Sequence, residues 1–258
     1  MTAELDAGLR AAVVRIAQAR HLLVALDFDG TMSPLVPRAE DARPLPASAA
    51  ALAALASLES TTTALVSGRA LSSLRGVAAP PARTLLVGSH GAETWWGPHS
   101  PALTLTEPQA HALRRAVEAV EAAAQLHPGL RVEHKPAGVV LHYRQAAPGP
   151  AATAVAQLHS ALAEDPGVYL SVGKMVLEAS VIKANKGESL TLLREFTEAT
   201  AVFFAGDDVT DEHAFAVLEP GDLGLKVGDG PTAAAFRIES PHALPAVLEL
   251  LLAARKPS

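Results

Sequence analysis

Leu22-Leu23-Val24-Ala25-Leu26-Asp27-Phe28-Asp29-Gly30-Thr31 decides the reading of this chain, because an unbroken apolar run feeds directly into two carboxylates. An apolar run of that length ending at a glycine fits a strand buried on both faces. Side chains of a strand repeat every second residue, so Asp27 and Asp29 are expected to leave the same face where the strand ends. Neighbouring carboxylates resist being ionised together, and holding them side by side costs free energy unless a cation or a phosphate chemistry uses them. The pair therefore points to a Mg2+ site with a carboxylate nucleophile beside a carboxyl acid.

Outward from this stretch, helical periodicity over residues 3–19 precedes the strand at 22–28, and an Ala/Leu helix over 47–59 leads to a strand at 62–66. A short helix after Gly68 leads to the strand Thr84-Leu85-Leu86-Val87. After a different middle region the pattern resumes with a helix near 186–196, a strand at 201–205, a helix at 210–218, the strand Leu223-Gly224-Leu225-Lys226-Val227 and a helix near 242–254. Such alternation predicts an α/β fold with an open, mainly parallel, Rossmann-like sheet covered by helices on both faces. Active sites on such sheets lie at strand C-terminal ends. Asp27 and Asp29, Ser67, and Asp207 with Asp208 all follow strands and converge on one rim.

Residues 98–180 follow another grammar and are expected to form an inserted small α/β domain, leaving 1–97 and 181–258 as the core. A helix over 107–126, strands near 130–135 and 138–144, a Pro148-Gly149-Pro150 break, a helix over 151–163, and strands near 168–172 and 175–180 give the order αββαββ. At even spacing, Glu133 shares a face with Lys135, His142 with Arg144, and Lys174 with Glu178. One sheet face should be ionic, with two helices on the other. By itself such a face also reads as solvated surface.

With 258 residues, 49% of them hydrophobic and 19% charged, the chain is globular rather than disordered. A net charge of −6 with no basic run argues against nucleic acid as the partner. There is no cysteine, hence no disulfide framework or thiolate zinc site, and the ten histidines show no metal-ligand spacing. The N-terminal segment carries Glu4 and Asp6 and does not read as a signal peptide; the apolar stretch 244–254 is too short to span a bilayer. A soluble cytoplasmic protein, not bound to membrane and monomeric, is expected. Gly228-Asp229-Gly230-Pro231 loosely matches a dinucleotide fingerprint, but it follows a late strand, and Pro231 reads as ordinary helix initiation, so no nicotinamide cofactor is assigned. Trp95-Trp96 reads as hinge or core packing ahead of sugar stacking.

In order along the chain, Asp27-Phe28-Asp29-Gly30-Thr31, Ser67-Gly68-Arg69, Lys186-Gly187 and Gly206-Asp207-Asp208-Val209-Thr210-Asp211-Glu212 resemble the four motifs of the haloacid dehalogenase superfamily of phosphohydrolases. Gly88-Ser89-His90-Gly91, the run from Glu133-His134-Lys135 to His142-Tyr143-Arg144, and Gly173-Lys174-Met175-Val176-Leu177-Glu178 are similar to the trehalose-6-phosphate phosphatase branch. The resemblance implies a substrate-specifying cap in the inserted unit. It also implies binding of a sugar phosphate by Thr31, Arg69, His90, Gly91, Glu133, Lys135, Arg144, Lys174 and Glu178, and action alongside a trehalose-6-phosphate synthase. His134 stands where that branch usually has Asp, and Ser180-Val181 where many members carry Arg-Pro. Phosphatases of sucrose phosphate or of glycosyl-phosphoglycerates, a promiscuous phosphatase and a non-catalytic sugar-phosphate sensor are the alternatives.

The chemistry can also be argued from the residues. Phosphoryl transfer relies on positioning and electrostatics around an in-line nucleophile. Asp27 is the candidate nucleophile, and Asp29 the acid that protonates the leaving oxygen and later activates water. Mg2+ prefers oxygen ligands, here the Asp27 carboxylate, the Asp29 backbone carbonyl and Asp207, with Asp208 and Asp211 as further or supporting ligands. Ser67 and Lys186 are expected to hold the phosphoryl oxygens. A lysine near a helix start opposes the macrodipole, which a purely structural role explains poorly, whereas Thr210-Asp211-Glu212 also suits a helix N-cap.

Overall fold

Asp6 starts the first helix: its carboxylate accepts from Gly8 N at 2.8 Å and Leu9 N at 3.1 Å, capping α1 (Ala7–Ile16). In this computed structural model, which describes residues 5–173 and 175–256, the helix thus ends three residues short of the expected 19. The apolar run becomes β1 (Leu22–Leu26), every residue of it buried, and the strand ends at Leu26 rather than at the expected residue 28. There follow α2 (Pro46–Ala56), β2 (Thr61–Val66), α3 (Leu71–Ala78), β3 (Leu85–Gly88) and β4 (Glu93–Trp95). The sequence reading had no strand at β4; with only three residues, it has too short a run for the period of two to register.

The chain divides into two compact units, one made of the chain up to Pro101 and from Ala184 on, the other of Ala102–Lys183. The second unit holds α4 (Glu107–Leu126), β5 (Arg131–Lys135), β6 (Gly138–His142), α5 (Pro148–Ala163), β7 (Tyr169–Gly173) and β8 (Val176–Ser180). Its strands pair antiparallel in the order β5-β6-β8-β7. Val139, Leu141, Leu177 and Ala179 point to one face and are buried, and α4 and α5 pack on that sheet. Pro148-Gly149-Pro150 is not a break but the first turn of α5, where a proline's missing N–H costs nothing. β6 stops at His142, so Arg144 lies in the following turn instead of on the strand.

The first unit resumes with α6 (Lys186–Thr197), β9 (Ala201–Gly206), α7 (Glu212–Phe215), β10 (Leu223–Val227), β11 (Phe236–Ile238) and α8 (Leu244–Arg255). The helix expected over 210–218 shrinks to a 3-10 turn, Val209–Asp211, followed by the single turn of α7. Pro231 initiates no helix; the segment runs on extended into β11, which hydrogen-bonds to β10. Among the described residues no helix is long and apolar enough to cross a membrane.

The seven-stranded sheet has the order β11-β10-β9-β1-β2-β3-β4 and is parallel except for β4. Leu22, Val24 and Leu26 join Leu65, Phe203, Ala205 and Leu225 beneath α1, α2 and α8. Leu23 and Ala25 join Val66, Val87, Val202 and Phe204 beneath α6 and α7. Period two thus serves two cores at once, which is why β1 reads as continuously apolar. Successive strands proceed to one side of β1 through β2 and β3, and to the other through β9 and β10, so the order reverses between β1 and β9. The loops leaving those two strands part there, opening a crevice at their C-terminal ends.

Candidate active site

Asp27 comes straight off β1 and is held against β9, its N–H donating to Ala205 O at 2.9 Å. Its side chain is nearly buried, at 4% exposure. Lys186, the first residue of α6, donates from Nζ to Asp27 Oδ1 at 2.6 Å and to Asp211 Oδ1 at 2.6 Å. Asn185 caps α6 by accepting from Glu188 N at 2.9 Å, so the lysine at the helix start is answered by two carboxylates. Asp211 Oδ2 accepts from Asp208 N at 2.9 Å, and Asp208 Oδ1 accepts from Val209 N at 2.7 Å. Asp208, not Thr210, is therefore the cap of the turn after β9, and its carboxylate is engaged in that turn.

One carboxylate oxygen from each of Asp27, Asp207 and Asp211 lies within 4.8 Å of the others. Burial pushes the Asp27 carboxyl well above the usual range, with Asp211 and Asp207 adding to it and Lys186 opposing. Asp207 is pushed up to about 6, by burial first and then by Asp211. Burial alone would lower Lys186, but the Asp211 and Asp27 carboxylates outweigh it and raise the ammonium above its ordinary value. One ammonium cannot balance three acids. A cation fits the remainder: among the described residues Asp27 Oδ2 is buried with no hydrogen-bond partner, and the donors are all hard oxygens. The backbone leaves room for this approach at Gly30, whose φ is +81° and where a Cβ would come within 2.1 Å of Asp207 Oδ2.

Asp29 does not join this group. The acids that crowd Asp27 come from the end of β9, whereas Asp29 turns to Arg69, which donates from Nε at 2.6 Å and Nη2 at 2.7 Å in a two-pronged ion pair. The expectation of two like charges pressed together was thus right in kind for Asp27 and wrong about its partner, because the chain leaves the strand before residue 29. Arg69 also lies over the Phe28 ring at 5.5 Å, and its N–H donates to Ser67 Oγ at 3.2 Å. Thr31 is buried, with a hydroxyl that meets no hydrogen-bond partner.

After β3, Ser89 and His90 both adopt positive φ, 48° and 55°. The strained turn is held by Ser89 N donating to Arg69 O at 2.7 Å, His90 N to Ser67 O at 3.0 Å, and Ser89 Oγ to Glu93 Oε2 at 2.6 Å. Gly91, at φ +121°, lies so close to Ser189 Oγ that a Cβ there would approach it to 2.4 Å.

In the second unit, Glu133, Lys135, His142 and Glu178 belong to the sheet face opposite α4 and α5. Lys135 Nζ donates to Glu178 Oε2 at 2.8 Å, both residues buried, and His142 Nε2 lies 2.8 Å from Glu133 Oε2, both about 40% exposed. Arg144 is exposed in the turn beyond β6, and Lys174 lies outside the described residues.

Over residues 25–239 the sequence matches the trehalose-phosphatase family. This chain belongs to that family. It is 34% identical over 240 residues to the bifunctional trehalose-6-phosphate synthase/phosphatase of Thermoproteus tenax, covering 91% of this chain and 32% of that protein. It is also 34% identical over 239 residues to the trehalose-phosphate phosphatase of Mycobacterium ulcerans, covering 84% of this chain and 58% of the relative. The chain therefore spans less than two thirds of either relative's length. The C-terminal domain of C. albicans trehalose-6-phosphate phosphatase shares its fold, with a TM-score of 0.82 at 20% identity over 98% of both chains.

For this family member the sequence reading passed over two charged side chains at the rim. Lys226, near the end of β10, donates to Asp207 O at 2.8 Å, and Glu212 Oε1 lies 3.5 Å from its Nζ. The signal was available: Lys226 interrupts the otherwise apolar strand Leu223–Val227, all of it buried. Trp95 and Trp96 meet the packing expectation, the first against the larger core and the second 5.2 Å from the Phe196 ring.

Proposed function

We propose that this protein is a divalent-metal-dependent phosphatase that hydrolyses trehalose 6-phosphate to trehalose and phosphate, through a phosphorylated Asp27. The observation that carries the reading is the buried Asp27–Lys186–Asp211 linkage with Asp207 beside it, inside the region matched to the family. Asp27, Asp207 and Asp211, with the backbone of Asp29, would hold a Mg2+ ion, and such an ion would offset the surplus acid charge and polarise the phosphoryl group.

In the forward half-reaction an Asp27 carboxylate oxygen forms a bond to phosphorus as the bond from phosphorus to the sugar oxygen breaks. That oxygen takes a proton from Asp29. In the second half, water attacks the phosphorus and gives its proton to Asp29; the bond to Asp27 breaks and phosphate leaves. Lys186 keeps Asp27 aligned, and the Ser67 and Thr31 hydroxyls suit phosphoryl oxygens. Both Asp29 oxygens are held by Arg69, so proton delivery requires that pair to open; a phosphoryl dianion is the natural competitor for a guanidinium fork. Glu133, Lys135 and Glu178, and with them Arg144 and Lys174, are read as binding the sugar. The bifunctional relative supports a place after a synthase that makes the phosphate ester, in the last step of trehalose formation in the cytoplasm.

The test is phosphate release from trehalose 6-phosphate, sucrose 6-phosphate, glucosyl-3-phosphoglycerate and glucose 6-phosphate, with Mg2+ and with a chelator. Mg2+-dependent preference for trehalose 6-phosphate is the expected result. Preference for another ester would keep the chemistry and overturn the substrate, and no release from any would favour a sensor.

A further inference from the structure

Lys226 is buried, at 3% exposure, in a strand whose other residues are all apolar. An apolar side chain would fill that position without the desolvation cost of a buried ammonium, so the lysine needs a reason. The register pairs Lys226 with Gly206, the residue before Asp207. From there its ammonium reaches Asp207 O at 2.8 Å and approaches Glu212 Oε1 at 3.5 Å, while Glu212 Oε2 accepts from Ala233 N at 2.8 Å. Lys226 thus ties the loop after β9 both to its own strand and to the segment leading into β11.

The Asp207 carboxylate, by contrast, accepts no hydrogen bond among the described residues, although it is one of the three acids placed to share a cation. Asp27 and Asp211 are each oriented through the side chain by Lys186. Asp207 is oriented through its backbone, with the Gly30 Cα packed against its carboxylate on one side and Lys226 on its carbonyl on the other.

We propose that Lys226, backed by Glu212, is a positioning residue that sets the Asp207 carboxylate for divalent-cation binding by fixing the Asp207 carbonyl. The inference rests on the metal reading above. Lys226 touches neither a reacting atom nor the cation; it acts through Asp207. Its positive charge also opposes the burial and the Asp211 carboxylate that raise Asp207.

The experiment is calorimetric titration of Mg2+ and Mn2+ into the metal-free full chain and into Lys226→Met, with thermal unfolding of both metal-free proteins as the control for folding. Removing a supporting partner of a ligand is expected to weaken divalent affinity by about 10- to 100-fold. Thermal unfolding of the metal-free variant reports whether it still folds, some loss of stability being expected because the Asp207 carbonyl loses its donor. Glu212→Gln should weaken binding less, in the same direction, and it decides the matter if Lys226→Met does not fold. Parental affinity in a folded Lys226→Met, or in Glu212→Gln when only that variant folds, would overturn the inference. If the parent itself binds no divalent cation, the metal reading falls and this inference falls with it.

Discussion

The two units carry ionic clusters of opposite design. In the first, the Asp27, Asp207 and Asp211 carboxylates gather beside the Lys186 ammonium; burial first, and then the neighbouring acids, push Asp27 and Asp207 up, and Asp27 Oδ2 meets no donor among the described residues. In the second, a buried Lys135–Glu178 ion pair reaches from β5 to β8, and a half-exposed Glu133–His142 contact joins β5 to β6 on the same sheet face. An unbalanced cluster asks for a cation. A sheet face that sets donors beside acceptors suits a polyhydroxyl ligand.

The strongest way to break this comparison is Asp27→Asn, which removes the proposed nucleophile: kcat should fall on the order of 10³-fold or more on every phosphate ester, with the substrate still bound. Substantial residual turnover in a steady-state assay would remove Asp27 from that role. A narrower effect is expected from Glu178→Gln in the other cluster. There kcat/KM on trehalose 6-phosphate should drop on the order of 10²-fold while p-nitrophenyl phosphate, lacking the sugar, changes by less than about threefold. Equal losses on the two esters would mean that the pair supports folding rather than sugar binding.

The acid surplus also predicts a pH dependence. In the metal-free protein the Asp207 carboxyl stands at about 6 against an ordinary 3.8, so between those values the folded state holds more proton than the unfolded. Stability of the metal-free protein should therefore fall as pH rises from about 4 to about 6. Divalent affinity should rise over the same window and level off above it, because binding must displace that proton. Affinities from calorimetry that are flat between about pH 5 and about pH 7 would contradict the raised Asp207 carboxyl. The smallest effect is expected for His142→Gln, a change of about twofold to fivefold in KM for the disaccharide ester with kcat preserved, since its partner Glu133 is half-exposed. A loss in kcat instead would place His142 closer to the reacting end.

Sequence alone made the doubly wound sheet legible because apolar runs and helical periodicity alternate plainly, and the rim residues were legible because each follows a strand. Pairwise orientation was not. Whether Asp29 meets Asp27 or Arg69 turns on where the strand ends, two residues earlier than expected, and Asp208 takes the cap in place of Thr210 through a turn too short for periodicity to signal. β4 and β11 were missed for the same reason, at three residues each. Lys226 was visible as an anomaly, but its meaning required the register of β10 on β9.

Lys186 meets Asp27 across 159 residues of chain, and β1 forms a full ladder with Ala201–Ala205. Until β9 has been synthesised, one edge of β1 has no partner and Asp27 lacks Asp207 and Asp211, which follow that strand. Such long-range pairing is slow to form, and an open strand edge is a site for mispairing while it waits. On the ribosome, then, residues 102–183 can complete a unit of their own while Asp27 sits at the end of a half-paired strand, and the acid cluster assembles late, with the strand that joins β1 to β10.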